Sequence, residues 1–549
     1  MPIHRLPDNP SLERLRKHAK TLLQYVKAQR PEALGLVNEF HPRPPERLKL
    51  SDAQLVTARM YGFASWPRLK EHIDTFERYS RAPHRVETSH ELPEEFLRLA
   101  CLTYGDDYPG RTREADLLLA RNPQLLTANV FTMAATGAAD ELADALAENP
   151  QLARAQGGPF GWEPLLYLAY ARLEAPGRCV AAARVLLEHG ADPNAGFLWE
   201  GLTSPFTALT GAFGGGEGDQ SPHPHGMALA RLLLEAGADP NDSQTLYNRG
   251  LGGSFSDDTA HLQLLLEFGL GRGEGGPWHA RLGPTLQSPQ QMLRDELATA
   301  ALRGGPRRAR LLLAHGAEVD GIGQHPAYGR RTPYELALLG GHTEVAEILA
   351  AAGASEALDE IDGFTAACMR ADADVVAGFA PDLLARARTE SPELINRAAE
   401  QRKPAAVRLL AGLGFDVNHL HQSTPLHEAA WNDDVETART LIELGADPTS
   451  RTPSTAPPRW AGLSTAAGTV WRPICGLLGH RARKAPWLVT VGLAREQSGR
   501  SRGIALSAGP RAQRPVRRQP VLVRFGSHPS SSSRRRFMLG ADVGACGVS

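Results

Sequence analysis

The chain contains 549 residues, too many for one hydrophobic core, and its hydrophobic share of 42% and charged share of 22% exclude wholesale disorder. No apolar run approaches the roughly 18 residues that a membrane span needs. The polar start MPIHRLPDNPSLERL is unlike a secretory signal, and the five cysteines form no CxxC pair. We therefore expect a cytoplasmic protein that neither enters a membrane nor depends on disulfides.

The near-neutral net charge of −1 conceals a division of the chain. Residues 451–549 contain 17 Lys and Arg against 2 Asp and Glu, a net charge of +15. The remaining residues carry a net charge of −16. The acidic body and the basic tail therefore need separate explanations.

The sequence predicts that the first 80 residues form a helical module. Leu12, Leu15, Leu22 and Val26 have the spacing of an amphipathic helix. A capping pattern predicts a second helix at about 52–60, and SWPRLKEHIDTF predicts a third from residue 65, while HPRPPERLKL reads as a connection. The module is expected either to cap the next segment of the chain or to bind a partner by itself.

A two-helix unit recurs from about residue 90 to residue 450. Its best copy, STPLHEAAWNDDVETARTLIELGADPT at 423–449, contains a capping Thr424, a Pro425 suited to a first helical turn, and small Ala429 and Ala430. RTPYELALLGGHTEVAEILAAAGA at 331–354 has the same pattern. Residues 96–127 and 131–153 have weaker patterns in which Asn-Pro replaces the turn glycine.

Each better unit ends in Leu-Leu, a polar pair and a turn glycine, which a left-handed C-cap favours. The turn glycines are Gly190, Gly237, Gly269, Gly316, Gly353, Gly414 and Gly445. Two of their spacings, 32 and 31, are single units, and the longer ones indicate insertions or degraded units. About ten units are expected.

TPLHEAA followed by GADP is the ankyrin signature, so the chain resembles an ankyrin-repeat protein. LSDAQLVTARMYGFASWPRLKEHI is likewise similar to a helical module that precedes ankyrin repeats in many bacterial proteins. These resemblances imply an all-α solenoid of stacked helical hairpins behind an N-terminal cap, and a bacterial source. They imply binding of a protein partner on the concave face and finger loops.

No catalytic constellation is evident in the sequence, and we expect no enzyme activity and no cofactor. Nucleophile elbow, P-loop and HExxH motifs are missing. Cys101, Cys179 and Cys368 sit among apolar residues, typical of inert core thiols. His223 and His225 lie in a Gly/Pro-rich insertion and provide at most half a zinc shell. A metal- or small-molecule-responsive regulator that uses the Gly/His-rich insertions is the alternative function.

Large aromatic and arginine side chains in the insertions are the candidate partner contacts, because Trp, Tyr and Arg are enriched at interface hot spots. The candidates in the insertions are Trp199, Trp278, Tyr328, Arg330 and Arg331, and Trp431 is a further candidate because it follows the HEAA helix at a position that the repeat leaves free. The alternative is that each aromatic ring packs back onto its own repeat. The acidic body favours a basic partner surface. We expect a monomer that binds a protein and not nucleic acid.

The tail at 451–549 has no helical periodicity and reads either as a disordered basic tail or as an out-of-frame translation. If residues 457–479 are back-translated and each codon starts at the third base of the printed one, a permitted reading is TPLGWAEHGGGHGLAADLRAAG. This reading has the start, the helices and the glycine turn of another ankyrin unit. The hypothesis is a frameshift near Thr449–Arg451.

Overall fold

The computed structural model describes residues 11–450, except residues 106, 109, 176, 356 and 357 and the side chain of residue 284. The predicted tail lies outside this part. The described residues up to Ala366 form one compact unit, and those from Ala367 form a second. Among the described helices, none combines the length and the apolar character required for a membrane crossing.

Four helices form the N-terminal module: α1 (Leu12–Lys27), α2 (Pro31–Phe40), α3 (Leu50–Met60) and α4 (Trp66–Tyr79). The sequence pattern predicts α1, α3 and α4. Helix α2 lies in a stretch for which no helix was predicted. Buried Leu22, Val37 and Val56 join α1, α2 and α3 in one apolar core, while Leu69 of α4 packs in a neighbouring core.

Short helices fill the rest of the described chain. In order they are α5 (Leu92–Ala100), α6 (Arg111–Arg121), α7 (Val130–Thr136), α8 (Ala139–Glu148), α9 (Pro164–Tyr170), α10 (Cys179–Glu188), α11 (Ala208–Phe213), α12 (Gly226–Glu235), α13 (Ser243–Arg249), α14 (Ala260–Glu267), α15 (Pro277–Leu282), α16 (Pro289–Arg303), α17 (Pro306–Ala314), α18 (Pro333–Leu339), α19 (Thr343–Ala351), α20 (Glu360–Met369), α21 (Ala373–Ala377), α22 (Pro381–Glu390), α23 (Leu394–Glu400), α24 (Pro404–Gly412), α25 (Pro425–Trp431) and α26 (Val435–Glu443).

These helices pack as pairs, and the pairs stack. Within pairs, α7 packs on α8, α18 on α19 and α25 on α26. Between pairs, first helices meet first helices, as α16 meets α18 and α23 meets α25, and second helices meet second helices, as α17 meets α19 and α24 meets α26. One pair cannot bury its apolar face alone, so stacking completes the core. The predicted all-α repeat architecture is confirmed.

The turn glycines adopt the left-handed conformation predicted for them. The φ angles of Gly190, Gly316 and Gly445 are 90°, 88° and 94°. A Cβ atom built on any of the three would contact nothing within 4 Å. The requirement for glycine therefore comes from the backbone angle and not from crowding.

The two units in which Asn-Pro replaces the turn glycine end in a 3₁₀ turn instead of a left-handed residue. After α6 and α8, the Asn-Pro sequences lead into 3₁₀ segments at Pro123–Thr127 and Pro150–Arg154. The Asn149 side chain accepts a hydrogen bond from the amide of Gln151 at 3.2 Å. Proline at the first position of the 3₁₀ turn removes a donor that would otherwise lack a partner.

Asparagine side chains connect the finger loops that follow the glycine turns. The Oδ1 atom of Asn194 accepts a hydrogen bond from the amide of Asp239 at 2.8 Å, and its Nδ2 donates to the Gly237 carbonyl at 3.0 Å. Asn241 makes the corresponding bond one loop later, accepting from the Gly271 amide at 2.8 Å. The GADPN phrase therefore fixes neighbouring loops to each other as well as ending a helix.

A small sheet interrupts the helical pattern. Strand β1 (Ser80–Arg81) pairs in parallel with β2 (Gly196–Trp199), which pairs antiparallel with β3 (Pro205–Thr207). β2 belongs to the insertion at 195–204, for which the sequence predicts a loop, and β3 directly follows that insertion. The sheet joins the end of the N-terminal module to the repeats of the same unit.

Candidate partner-binding surface

Trp199 is a structural residue and not a surface contact. It lies at the end of β2 with 5% of its surface exposed. Its indole Nε1 donates to the carbonyl of Thr103 at 2.8 Å, and its ring stacks on His84 with centroids 4.4 Å apart. A large ring with a satisfied N–H is stabilised by burial, which corrects the prediction of a partner contact here.

Trp278 is buried in the same way. It is 4% exposed, and its indole Nε1 donates to the carbonyl of Asn194 at 3.0 Å. Tyr79 of the N-terminal module meets the ring edge-on at 5.0 Å, and the Arg281 guanidinium lies 4.9 Å from the ring centroid. Trp278 therefore contributes to the core beneath β2 and is also withdrawn from the candidate contacts.

Tyr328 anchors a finger loop from inside. The side chain is 2% exposed, and its hydroxyl is hydrogen-bonded to Thr299 Oγ1 at 2.9 Å and donates to the Asp295 carbonyl at 3.1 Å. Burial raises the pKa of the phenol well above its usual value. The loop could not present this ring to a partner without breaking those bonds, so Tyr328 is a third correction.

The two neighbouring arginines lie nearer the surface. Arg330 is exposed and has a φ angle of 59°, in the left-handed region. Arg331 is half-buried and forms an ion pair with Asp362 at 2.5 Å. Arg330 therefore has the freer charge for a partner.

Trp431 ends α25 and is half-buried. The next residue, Asn432, donates from Nδ2 to the carbonyl of Glu400 at 3.0 Å, which fixes the end of α25 to the preceding helix pair. Part of the Trp431 surface is accessible beside a rigid turn, so it stays a candidate contact.

Two aliphatic side chains on finger loops were missed by the sequence interpretation. Ile322 is 47% exposed in the loop between α17 and α18, and Leu420 is 46% exposed in the loop between α24 and α25. Exposed Ile and Leu are individually common on protein surfaces. Their exposure could have been inferred from the sequence, because each lies between small or polar residues, in Gly-Ile-Gly and His-Leu-His, directly after the turn of a repeat.

The loop that exposes Ile322 is held from behind by polar contacts. Gln291 Nε2 donates to the Ile322 carbonyl at 3.0 Å, and the amide of Gln324 donates to Asp295 Oδ1 at 2.8 Å. A Cβ atom on Gly323 would lie 2.4 Å from the Tyr328 ring. The loop is thus pre-organised, which lowers the entropy lost when a partner binds.

The nucleophilic and metal-binding candidates do not assemble into a reactive site. Burial raises the pKa of the thiols of Cys101, Cys179 and Cys368 to about 12, which keeps them protonated. His223 is buried, and its pKa is lowered to about 3 by burial and by nearby Arg172. Across the described part of the chain, no group of three or more His, Cys, Asp or Glu side chains is arranged to hold a metal ion.

Stacked helix pairs, left-handed glycine turns and linked finger loops define a helical-repeat protein. The comparison with known families agrees with this class: residues 364–452 match the family described as ankyrin repeats, in three copies. No curated protein matches the chain. The chain therefore contains ankyrin repeats at 364–452, as the TPLHEAA and GADP motifs in this segment predict.

Proposed function

We propose that the protein is a non-catalytic scaffold that binds a partner protein through its ankyrin finger loops. Ankyrin repeats are generally protein–protein interaction modules, which supports the class of function. The observation that carries the proposal is the 320–331 loop, where a buried Tyr328 and a ring of polar contacts hold Ile322 and Arg330 outward.

The proposed contact combines an apolar side chain with a cation on one rigid loop. Ile322 offers aliphatic surface, and Arg330 offers a guanidinium that pairs well with a carboxylate. The partner surface opposite this loop is therefore expected to contain an apolar pocket with an acidic residue at its rim. Elsewhere the acidic body favours a basic surface on the partner.

Affinity capture with the full chain, followed by quantitative mass spectrometry, tests the proposal. Ile322→Asp and Arg330→Glu should each reduce capture of a reproducible partner by at least about tenfold, a loss of about 1.4 kcal/mol. Leu117→Asp is the matched control, because Leu117 is 48% exposed but lies on helix α6. Equal capture by all three variants, or equal loss, would refute binding through this loop.

A further inference from the structure

The last described repeat ends in a face that another repeat could cover. Helices α25 and α26 pack on α23 and α24, and no further described helix follows them. Ala399 of α23 is fully buried where α25 stacks, whereas the matching Ala430 of α25 is half-buried. A terminal repeat with an open apolar side is stabilised when a neighbour stacks on it.

We propose that the natural gene encodes one more ankyrin repeat, which packs on α25 and α26, and that the printed residues after about 451 arise from a shifted reading frame. The sequence of this added repeat is the shifted reading of codons 457–479. Its codons begin at the third base of each printed codon, so the printed frame starts one base late. The gain of two bases between codons 449 and 457 produces that displacement and leaves the codon numbers of the natural repeat equal to the printed ones.

The register of the shifted reading fits the array. Its Thr-Pro-Leu start falls at codon 457, which is 33 codons after Thr424. Its final glycine falls at codon 478, which is 33 codons after Gly445. One ankyrin unit is 33 residues long.

The structure identifies the positions of a repeat unit at which burial or a left-handed backbone limits the residue type. Ala429, Ala438 and Leu441 of the last repeat are fully buried, and Gly445 has a φ angle of 94°. The same positions in the unit at 332–353 are also buried or left-handed: Ala337, Ala346, Leu349 and Gly353. A true repeat must satisfy these positions, while other positions are free.

The codons allow little choice at two of these positions. Trp471 has only the codon TGG, so its last base and the CG of an Arg472 codon of the CGN type give GCG, alanine, at the position of Ala438. The last base of Ile474 and the TG of Cys475 give leucine or methionine, at the position of Leu441. The printed residues did not have to permit either result.

The remaining constrained positions are compatible. The shifted codon at 462 has the form NCT, which allows the alanine required at the position of Ala429, if Leu463 uses a CTN codon. The codon at 478 has the form NGG, which allows glycine at the position of Gly445. The last base of the Trp460 codon and the first two bases of the Ala461 codon give GGC, so glycine is fixed as the fourth residue of the TPLGWA start. The codons therefore permit, at each buried or left-handed position, the residue that a repeat requires there.

Mass spectrometry of the natural protein tests the frame. Trypsin cuts after Lys484 and Arg495, so the printed frame predicts the peptide APWLVTVGLAR. The proposal expects shifted-frame peptides, at the abundance of peptides from 364–450, in place of this one. Detection of APWLVTVGLAR at that abundance would overturn the proposal, as would an uninterrupted printed frame in resequenced genomic DNA.

Hydrogen exchange tests the docking of the added repeat. The printed full chain is compared with a frame-restored full chain, in which two bases are removed between codons 449 and 457. Restoration should slow amide exchange in α26 by at least about tenfold, because a neighbour then covers its helix pair. A restored chain in which the leucine encoded across Ile474 and Cys475 is replaced by aspartate is the control and should lose that protection. Equal exchange in the three chains, or equal protection in both restored chains, would contradict the docking.

Discussion

The carboxylate of Glu296 on α16 lies 3.8 Å from the guanidinium of Arg308 on α17, and both side chains are almost fully buried. Burial raises the pKa of Glu296 to about 7 in spite of this neighbouring cation. Arg308 instead donates through Nη2 to the Arg249 carbonyl at 2.6 Å. The attraction between the two charges therefore does not compensate for the desolvation of the carboxylate.

Glu296→Gln should remove a pH-dependent loss of stability. An acid whose pKa rises on folding, here from 4.5 to about 7, contributes stability that is complete below pH 4.5 and is lost as the pH rises through 7. The full difference corresponds to about 3 kcal/mol. In urea titrations, the free energy of unfolding of Glu296→Gln relative to the unsubstituted chain should therefore increase between pH 5 and pH 8. A difference that does not change with pH would contradict the raised pKa of the Glu296 carboxyl group in the folded protein.

His223→Asn should reduce sensitivity to acid. Burial lowers the pKa of His223 to about 3, so its contribution to stability is complete above pH 6.5 and is lost as the pH falls towards 3. The imidazole Nδ1 accepts from the His225 amide at 3.1 Å, and an asparagine oxygen can replace that acceptor. At pH 5 the variant should recover about 2 kcal/mol relative to its deficit at pH 7.5. Thermal unfolding at both pH values measures this, and an unchanged acid response would show that His223 protonates in the fold.

Asn194→Ala should weaken the connection between finger loops. The buried Asn194 side chain bonds both the Gly237 carbonyl and the Asp239 amide, so its removal should cost about 1–3 kcal/mol. Asn418 is the matched control, because it accepts from the Asp447 amide at 2.6 Å in an exposed loop, and its replacement by alanine should cost less. Hydrogen exchange of each loop and urea unfolding measure the effects. Equal costs at the two sites would show that burial of the bond is unimportant.

Tyr328 variants should separate the anchor from the contact surface. Tyr328→Phe keeps the ring and loses two hydrogen bonds, at a cost of about 1 kcal/mol, with the finger loop and partner capture preserved. Tyr328→Ala opens a cavity, should cost about 3–5 kcal/mol and should speed exchange in the 320–331 loop. Partner capture lost in Tyr328→Phe without faster loop exchange would instead indicate that the Tyr328 hydroxyl contacts the partner directly.

Local patterns predicted the repeat architecture because its determinants are short in sequence. Pro425 begins α25 as predicted, although the Thr424 hydroxyl pairs with His427 Nδ1 at 2.7 Å and caps no backbone amide. A glycine such as Gly445 specifies a left-handed end. The family comparison confirms the ankyrin assignment at 364–452. By contrast, the pairing of Ser80 with Leu198 joins residues far apart in the chain, and neither residue carries a local signal for it.

The contact residues were harder to predict because residue type does not specify burial. Trp199 and Tyr328 occur in insertions, as hot-spot aromatics often do, yet each finds a carbonyl partner inside the fold. Ile322 has the opposite property, since an aliphatic residue is exposed where the loop is held from behind. Only the packing around each side chain distinguishes these outcomes.

Hydrogen–deuterium exchange of the full chain with and without its captured partner tests the central claim most directly. The account predicts that the partner slows exchange in the 320–331 loop, and that Ile322→Asp removes this protection while Leu117→Asp retains it. Protection confined to helix α6 and the other second helices of the pairs, with no change in the 320–331 loop, would contradict binding through the finger loops.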